Sequence, residues 1–164
     1  MIASGNKNVV LMLWIGGLTL VAALIMAKAA EYHRALKEAL NGQKDVPSVL
    51  RDYVAAKAAF VMGGAATLRL YFAETRGASF NIKAGLDQDI RKLYDEIVVR
   101  LASVLAAGVK QKVFRKLDPY YMAVALEGIT NAFLLCWLED PKQHSYEGNI
   151  PTMMDIFLSG VSVK

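Results

Sequence analysis

The chain has 164 residues, enough for one domain with a core of its own and too few for two. Apolar residues make up 55% of it and the net charge is +4. The apolar share lies above the roughly 45–50% of ordinary soluble domains, and the lysines and arginines are spread out instead of forming a run. One cysteine, Cys136, excludes an intrachain disulfide framework and a cysteine-based metal cluster, and points to a reducing compartment.

The first element is the uncharged run Val9 to Ala27, VVLMLWIGGLTLVAALIMA. It satisfies the roughly 17–25 residues that a bilayer-spanning helix needs. Lys7 precedes it, and Lys28, Arg34 and Lys37 follow, which places the C-terminal bulk in the cytoplasm if the run spans an inner membrane. A soluble reading stands beside this one. Leu18, Val21, Ile25, Ala29, Tyr32, Leu36 and Leu40 repeat at spacings of three and four, a stripe that continues past the first charges. Lipid alone does not require that stripe.

Asn41 and Gly42 suit a helix C-terminus, and Asp45 with Pro47 suits the start of a second helix. This second helix is expected to run to about Thr75, with Gly63 and Gly64 as a candidate bend, before the loop RGASFNIKAG. A third is expected from Leu86 to about Ala107, with Ile90, Leu93, Tyr94, Ile97, Leu101, Val104 and Leu105 at helical spacing and Gly108 weakening or ending it. Asp118 and Pro119 open a fourth, PYYMAVALEGITNAFLLCWL, and the loop DPKQHSYEGN leads to a last short helix from Ile150 to Val163. No period-two strand is present, so the expected fold is all-α, an antiparallel helical bundle of about five to six helices.

Catalytic chemistry has few candidates. His33 and His144 lack ligand spacing, there is no Glu-x-x-His pair, and neither Gly16-Gly17 nor Gly63-Gly64 has the surroundings of a phosphate loop. Cys136 on an apolar face reads as a small hydrophobe. Glu127 and Asn131, four apart, share a face, and read either as a ligand or interface pair or as a surface glutamate beside a core-edge asparagine. Neither an enzyme nor a cofactor is expected.

The segment LRLYFAETR, then IRKLYDEIVVRLASVLAAGVKQKVFRKLDPYYMAVALEGITNAFLLCWLED, then a helix ending IFLSG, resembles the C-terminal regulatory domain of the tetracycline-repressor (TetR-like) family of transcriptional regulators. The resemblance spans about Gly17 to Val163. It rests on the turn GVKQKVFRKLDP, the small apolar face around Gly128 and Ala132, Trp137 near the helix end, and the cluster of Phe157, Leu158 and Gly160. It implies a ligand-binding and dimerisation domain over residues 17–164, with residues 1–16 a divergent apolar segment.

Several expectations follow from that likeness. The last two long helices would form a homodimer through Met122, Leu126, Gly128, Ile129, Ala132, Phe133, Cys136, Met154, Phe157 and Val161. A small hydrophobic effector would bind between the second helix and the third and fourth, near Phe60, Thr67, Tyr71, Tyr94 and Asn131. The family's DNA-reading helix-turn-helix precedes this domain, and the sixteen residues before Gly17 do not resemble one. DNA would be a partner only where an intact chain supplies that element, and the chain would be cytoplasmic. The alternative is a membrane-anchored helical protein with Val9 to Ala27 as a single span. Glu127 favours the first, since a mid-helix carboxylate in hydrocarbon costs roughly 2.5–3.5 kcal/mol on insertion scales.

Overall fold

The computed structural model describes residues 27–64 and 88–163, and these form an all-α bundle of five α-helices and one 3-10 turn. The expected span Val9 to Ala27 lies outside the described residues except for its last position, as do Thr67, Tyr71 and the loop after Thr75.

Helix α1 occupies 27–40 and turns His33, Leu36 and Leu40 inward. It stops at Asn41, whose backbone N–H donates to the Glu38 carbonyl, and Gly42 follows. Helix α2, Val46–Gly63, begins where the sequence signals it: the Asp45 carboxylate accepts from the Ser48 backbone N–H at 3.0 Å and from its hydroxyl at 2.6 Å. That cap satisfies an amide the helix itself leaves unpaired. The inward stripe is Leu50, Tyr53, Val54, Lys57, Ala58 and Val61, a spacing of three and four with one lysine in it.

The expected run of α2 to Thr75 is corrected: the helix ends at Gly63. Two glycines in succession weaken helical geometry, and the Gly64 N–H closes the end by donating to the carbonyls of Phe60 and Val61.

Helix α3, Gln88–Lys110, buries Ile97, Val98, Leu101 and Leu105 on one side. Gly108 does not end it, because the ring of Phe114 folds back onto that position. A Cβ there would lie 2.5 Å from Phe114 Cδ2 and 3.2 Å from Val46 Cγ1. Glycine is needed for this close approach rather than for a break. The reversal comes four residues later, at Lys112 with φ of 62°.

Helix α4, Pro119–Glu139, is capped by Asp118, which accepts from the Tyr120 N–H at 2.8 Å, and Pro119 fills the first position. It packs along α3 and against α5, Ile150–Val161, while α5 also meets α2. Within the expected loop after Asp140, a 3-10 turn at Glu147–Asn149 holds Tyr146 at its start, buried against the core. An isolated antiparallel bridge between Phe114 and Ser162 ties the end of α5 to the α3–α4 turn.

Candidate functional site

At the middle of α2 the inward stripe places Lys57, and at the middle of α4 the inward face places Glu127. Both side chains are almost fully buried. Lys57 Nζ donates to Glu127 Oε1 and Oε2, each at 2.9 Å, and to Thr130 Oγ1 at 2.7 Å. The Tyr53 hydroxyl donates to Glu127 Oε1 at 2.5 Å, and Thr130 Oγ1 donates in turn to the Glu127 backbone carbonyl at 3.0 Å. Three donors on the ammonium are thereby matched by three acceptors, which a buried charge requires.

Four tyrosines feel this charge pair. Burial first, and the negative charge of Glu127 second, push the phenols of Tyr32 and Tyr53 well above the ordinary tyrosine value. The same causes raise Tyr94 to about 12, and Tyr146 is raised as well. The Tyr146 hydroxyl sits beside Thr130 without a hydrogen bond of ordinary geometry, a buried donor still free to pair. Tyr32 stacks on Phe60 with ring centroids 4.4 Å apart. The arrangement suits recognition: Lys57 is held as a saturated ammonium, and the unused hydrogen-bonding capacity is that of Tyr146.

Of the residues expected around an effector, Phe60, Tyr94 and Asn131 are each half-buried, while Thr67 and Tyr71 lie outside the described residues. Tyr94 stands close enough to Glu127 to sense its charge. Of the two readings open for Glu127, the surface one does not hold, because the residue is buried in the core. An open groove of about 620 Å³ between α1 and α3, lined by Lys37, Glu96, Val99 and Arg100 among others, contains none of these candidates. Among the described residues no group of three metal-ligating side chains converges.

Sequence reasoning misses Tyr53, Lys57, Thr130 and Tyr146. A signal for the charge pair exists nonetheless. Lys57 falls in register with Leu50, Tyr53, Val54 and Val61, and Glu127 is the lone carboxylate inside an apolar helix, so opposite charges occupy inward positions on two helices. Tyr146 carries no such signal, because nothing local marks a loop tyrosine as buried.

The outward face of α4 is the second feature. Val124, Ala125, Gly128, Ala132 and Cys136 are exposed, with Ile129 and Phe133 half-buried at the margin. Met122, Leu126, Met154, Phe157 and Val161, also expected at an interface, fill the core of the chain itself. A Cβ at Gly128 or Gly160 would meet nothing within 4 Å. The helix is long and apolar enough to cross a membrane, yet its inner face belongs to a protein core, with Glu127 neutralised by Lys57.

Comparison with family models, with curated proteins and with solved structures finds no match for this chain.

Proposed function

We propose that this chain is the ligand-sensing and dimerisation part of a TetR-like transcriptional regulator, in which a small hydrophobic effector alters the geometry between two subunits and so the DNA binding of the intact regulator. One observation carries the reading. The most apolar eighteen-residue window of α4 is only 39% buried within a single chain, and the exposed remainder is small and uncharged around Gly128 and Ala132. A second copy of α4 laid on this face, with the exposed Ile156 of α5 beside it, would remove from water what one chain leaves wet. Isologous packing of like helices is the commonest way to do so, and small residues allow the close approach. Depletion of charge at the centre of the patch is the mark of such interfaces.

The effector in this reading lies near the Tyr32–Phe60 stack and Tyr94, apolar in bulk and offering an acceptor to the Tyr146 hydroxyl. Its binding would act on α1, which leads toward the position of the family's DNA-reading head. Coupling of this kind needs only different affinities for two inter-helix arrangements.

The test is mass in solution. Light scattering behind size exclusion is expected to give twice the chain mass, and Gly128→Trp is expected to give the single-chain mass with an unchanged helical circular-dichroism signal, since the position is open in the single chain. A wild-type protein that stays monomeric at the highest soluble concentration would remove the dimer and with it the regulatory reading.

A further inference from the structure

We propose that the turn between α3 and α4 is a docking site for an anionic lipid surface. Between Lys110 and Tyr121 the chain carries four cations, Lys110, Lys112, Arg115 and Lys116, and one acid, Asp118, whose carboxylate is engaged in capping α4. All four cations are exposed. Beside them stand side chains that a solvated turn has no reason to show: Leu117 is 41% exposed and Tyr120 49%. Val163, 53% exposed, is drawn to the same end by its backbone hydrogen bond to the Val113 carbonyl.

The turn is held in shape. Phe114 is buried over Gly108, the Arg115 N–H donates to the Val161 carbonyl at 2.8 Å, and the Arg115 guanidinium reaches the Gly160 carbonyl. With Phe114 pinned inward, the lysines on either side of it and Leu117 are directed out at one end of the bundle. Basic residues near an anionic leaflet gain from its surface potential, and tyrosine with an aliphatic neighbour suits the boundary between headgroup and acyl chain.

Nucleic acid offers the same negative charge, but nothing for Leu117 and Val163 to enter. The rings of Tyr120 and Tyr121 meet edge to face at 5.7 Å, and the aliphatic groups beside them add nothing to base stacking, which uses aromatic faces alone. The lipid surface is the occupant that uses both the charge and the aliphatic groups. This proposal does not depend on the regulatory reading, because the patch lies at the α3–α4 turn and not on the outward middle of α4.

The experiment is co-sedimentation of the full chain with sucrose-loaded vesicles, phosphatidylcholine alone against phosphatidylcholine containing phosphatidylserine, at low and at physiological salt. Binding is expected to the anionic vesicles and not to the neutral ones, weakening as salt rises. The triple change Lys110→Gln, Lys112→Asn, Lys116→Gln is expected to weaken partition about a hundredfold, with each lysine contributing comparably. Asparagine is chosen at 112 because it tolerates the left-handed backbone there. Leu117→Ser is expected to weaken vesicle binding several-fold without changing the salt dependence. Equal binding to neutral and anionic vesicles, or anionic binding that survives the triple change, overturns the proposal. So does a chain that ignores vesicles yet retains a single-stranded DNA oligonucleotide through these same lysines.

Discussion

The two sides of α4 are arranged opposite to expectation. Toward α2 the helix presents Glu127 and Thr130, two of the three polar groups of its central turns, sealed from water; toward solvent it presents Val124, Ala125, Gly128 and Ala132, with no charge. A helix of an isolated soluble bundle puts its charges outside. The inversion teaches that each side is completed by something different, the inner one by Lys57 and the outer one, if the proposed dimer forms, by a second chain. The tests that follow attack one side while leaving the other intact.

The largest effect belongs to the inner side. Glu127→Ala leaves the Lys57 ammonium buried without its partner, and removing one member of a buried pair typically costs about 3–5 kcal/mol. Urea denaturation followed by circular dichroism should show a loss of unfolding free energy of that order, read as the midpoint shift multiplied by the slope of the transition. Replacing both, Lys57→Met with Glu127→Leu, should restore stability to near or above the starting value, because the desolvation of two charges disappears along with their attraction. If the double variant is as unstable as the single one, the network through Tyr53 and Thr130 matters more than the charge pair.

Next in size is a comparison of two helical glycines. Gly108→Ala drives a methyl group into the Phe114 ring and toward Val46, and overpacking of this kind costs about 1–3 kcal/mol, partly offset by better helix propensity. Gly128→Ala meets open space, so in the single chain only the propensity gain of up to about 1 kcal/mol remains. Opposite shifts in thermal midpoint are the expected result at concentrations low enough to keep the chain single. At concentrations where the proposed dimer forms, Gly128→Ala is expected to lose that gain or to destabilise, and a midpoint at 128 that ignores protein concentration would count against the interface.

How much of this is legible in the sequence follows from how local each signal is. Asp45 with Pro47 and Asp118 with Pro119 announce two helix starts, because a cap is made by neighbours in sequence. The all-α class follows from periodicity alone. The end of α2 escapes the sequence because apolar small residues continue past Gly63, and sequence period does not weigh a glycine pair against a cap. Gly108 misleads for the converse reason: its requirement is set by Phe114, six positions away across a turn. The Lys57–Glu127 pair joins positions seventy apart, visible only as two charges that each break an apolar stripe, and the burial of Tyr146 leaves no trace in its own neighbourhood.

The smallest expected effect concerns α1, where the inversion recurs in weaker form. His33 is buried against α3, its Nε2 lacks a hydrogen-bond partner, and it stands 3.5 Å from the Glu96 carboxylate that Lys37 already occupies at 3.0 Å. Burial, and then the charge of Lys37, hold the imidazole below the ordinary histidine value of 6.5; Glu96 and a hydrogen bond with the Leu93 backbone oppose this without overcoming it. The unfolded chain therefore binds the proton more readily than the folded one. Stability is then level above the unfolded value and declines as pH falls through 6.5 toward the lower folded value. Urea midpoints measured between about pH 8 and about pH 5 should trace that decline, and His33→Gln should flatten the part of it that lies nearest 6.5. A stability that instead rises on acidification would mean that Glu96 gains more from the imidazolium than burial costs, and the α1–α3 contact would then be tightened by acid. Comparison with Lys57 explains why the effect is modest: the lysine is enclosed on all sides by acceptors, whereas His33 has solvent-exposed Glu96 and Lys37 as its charged neighbours, and water screens much of what they do.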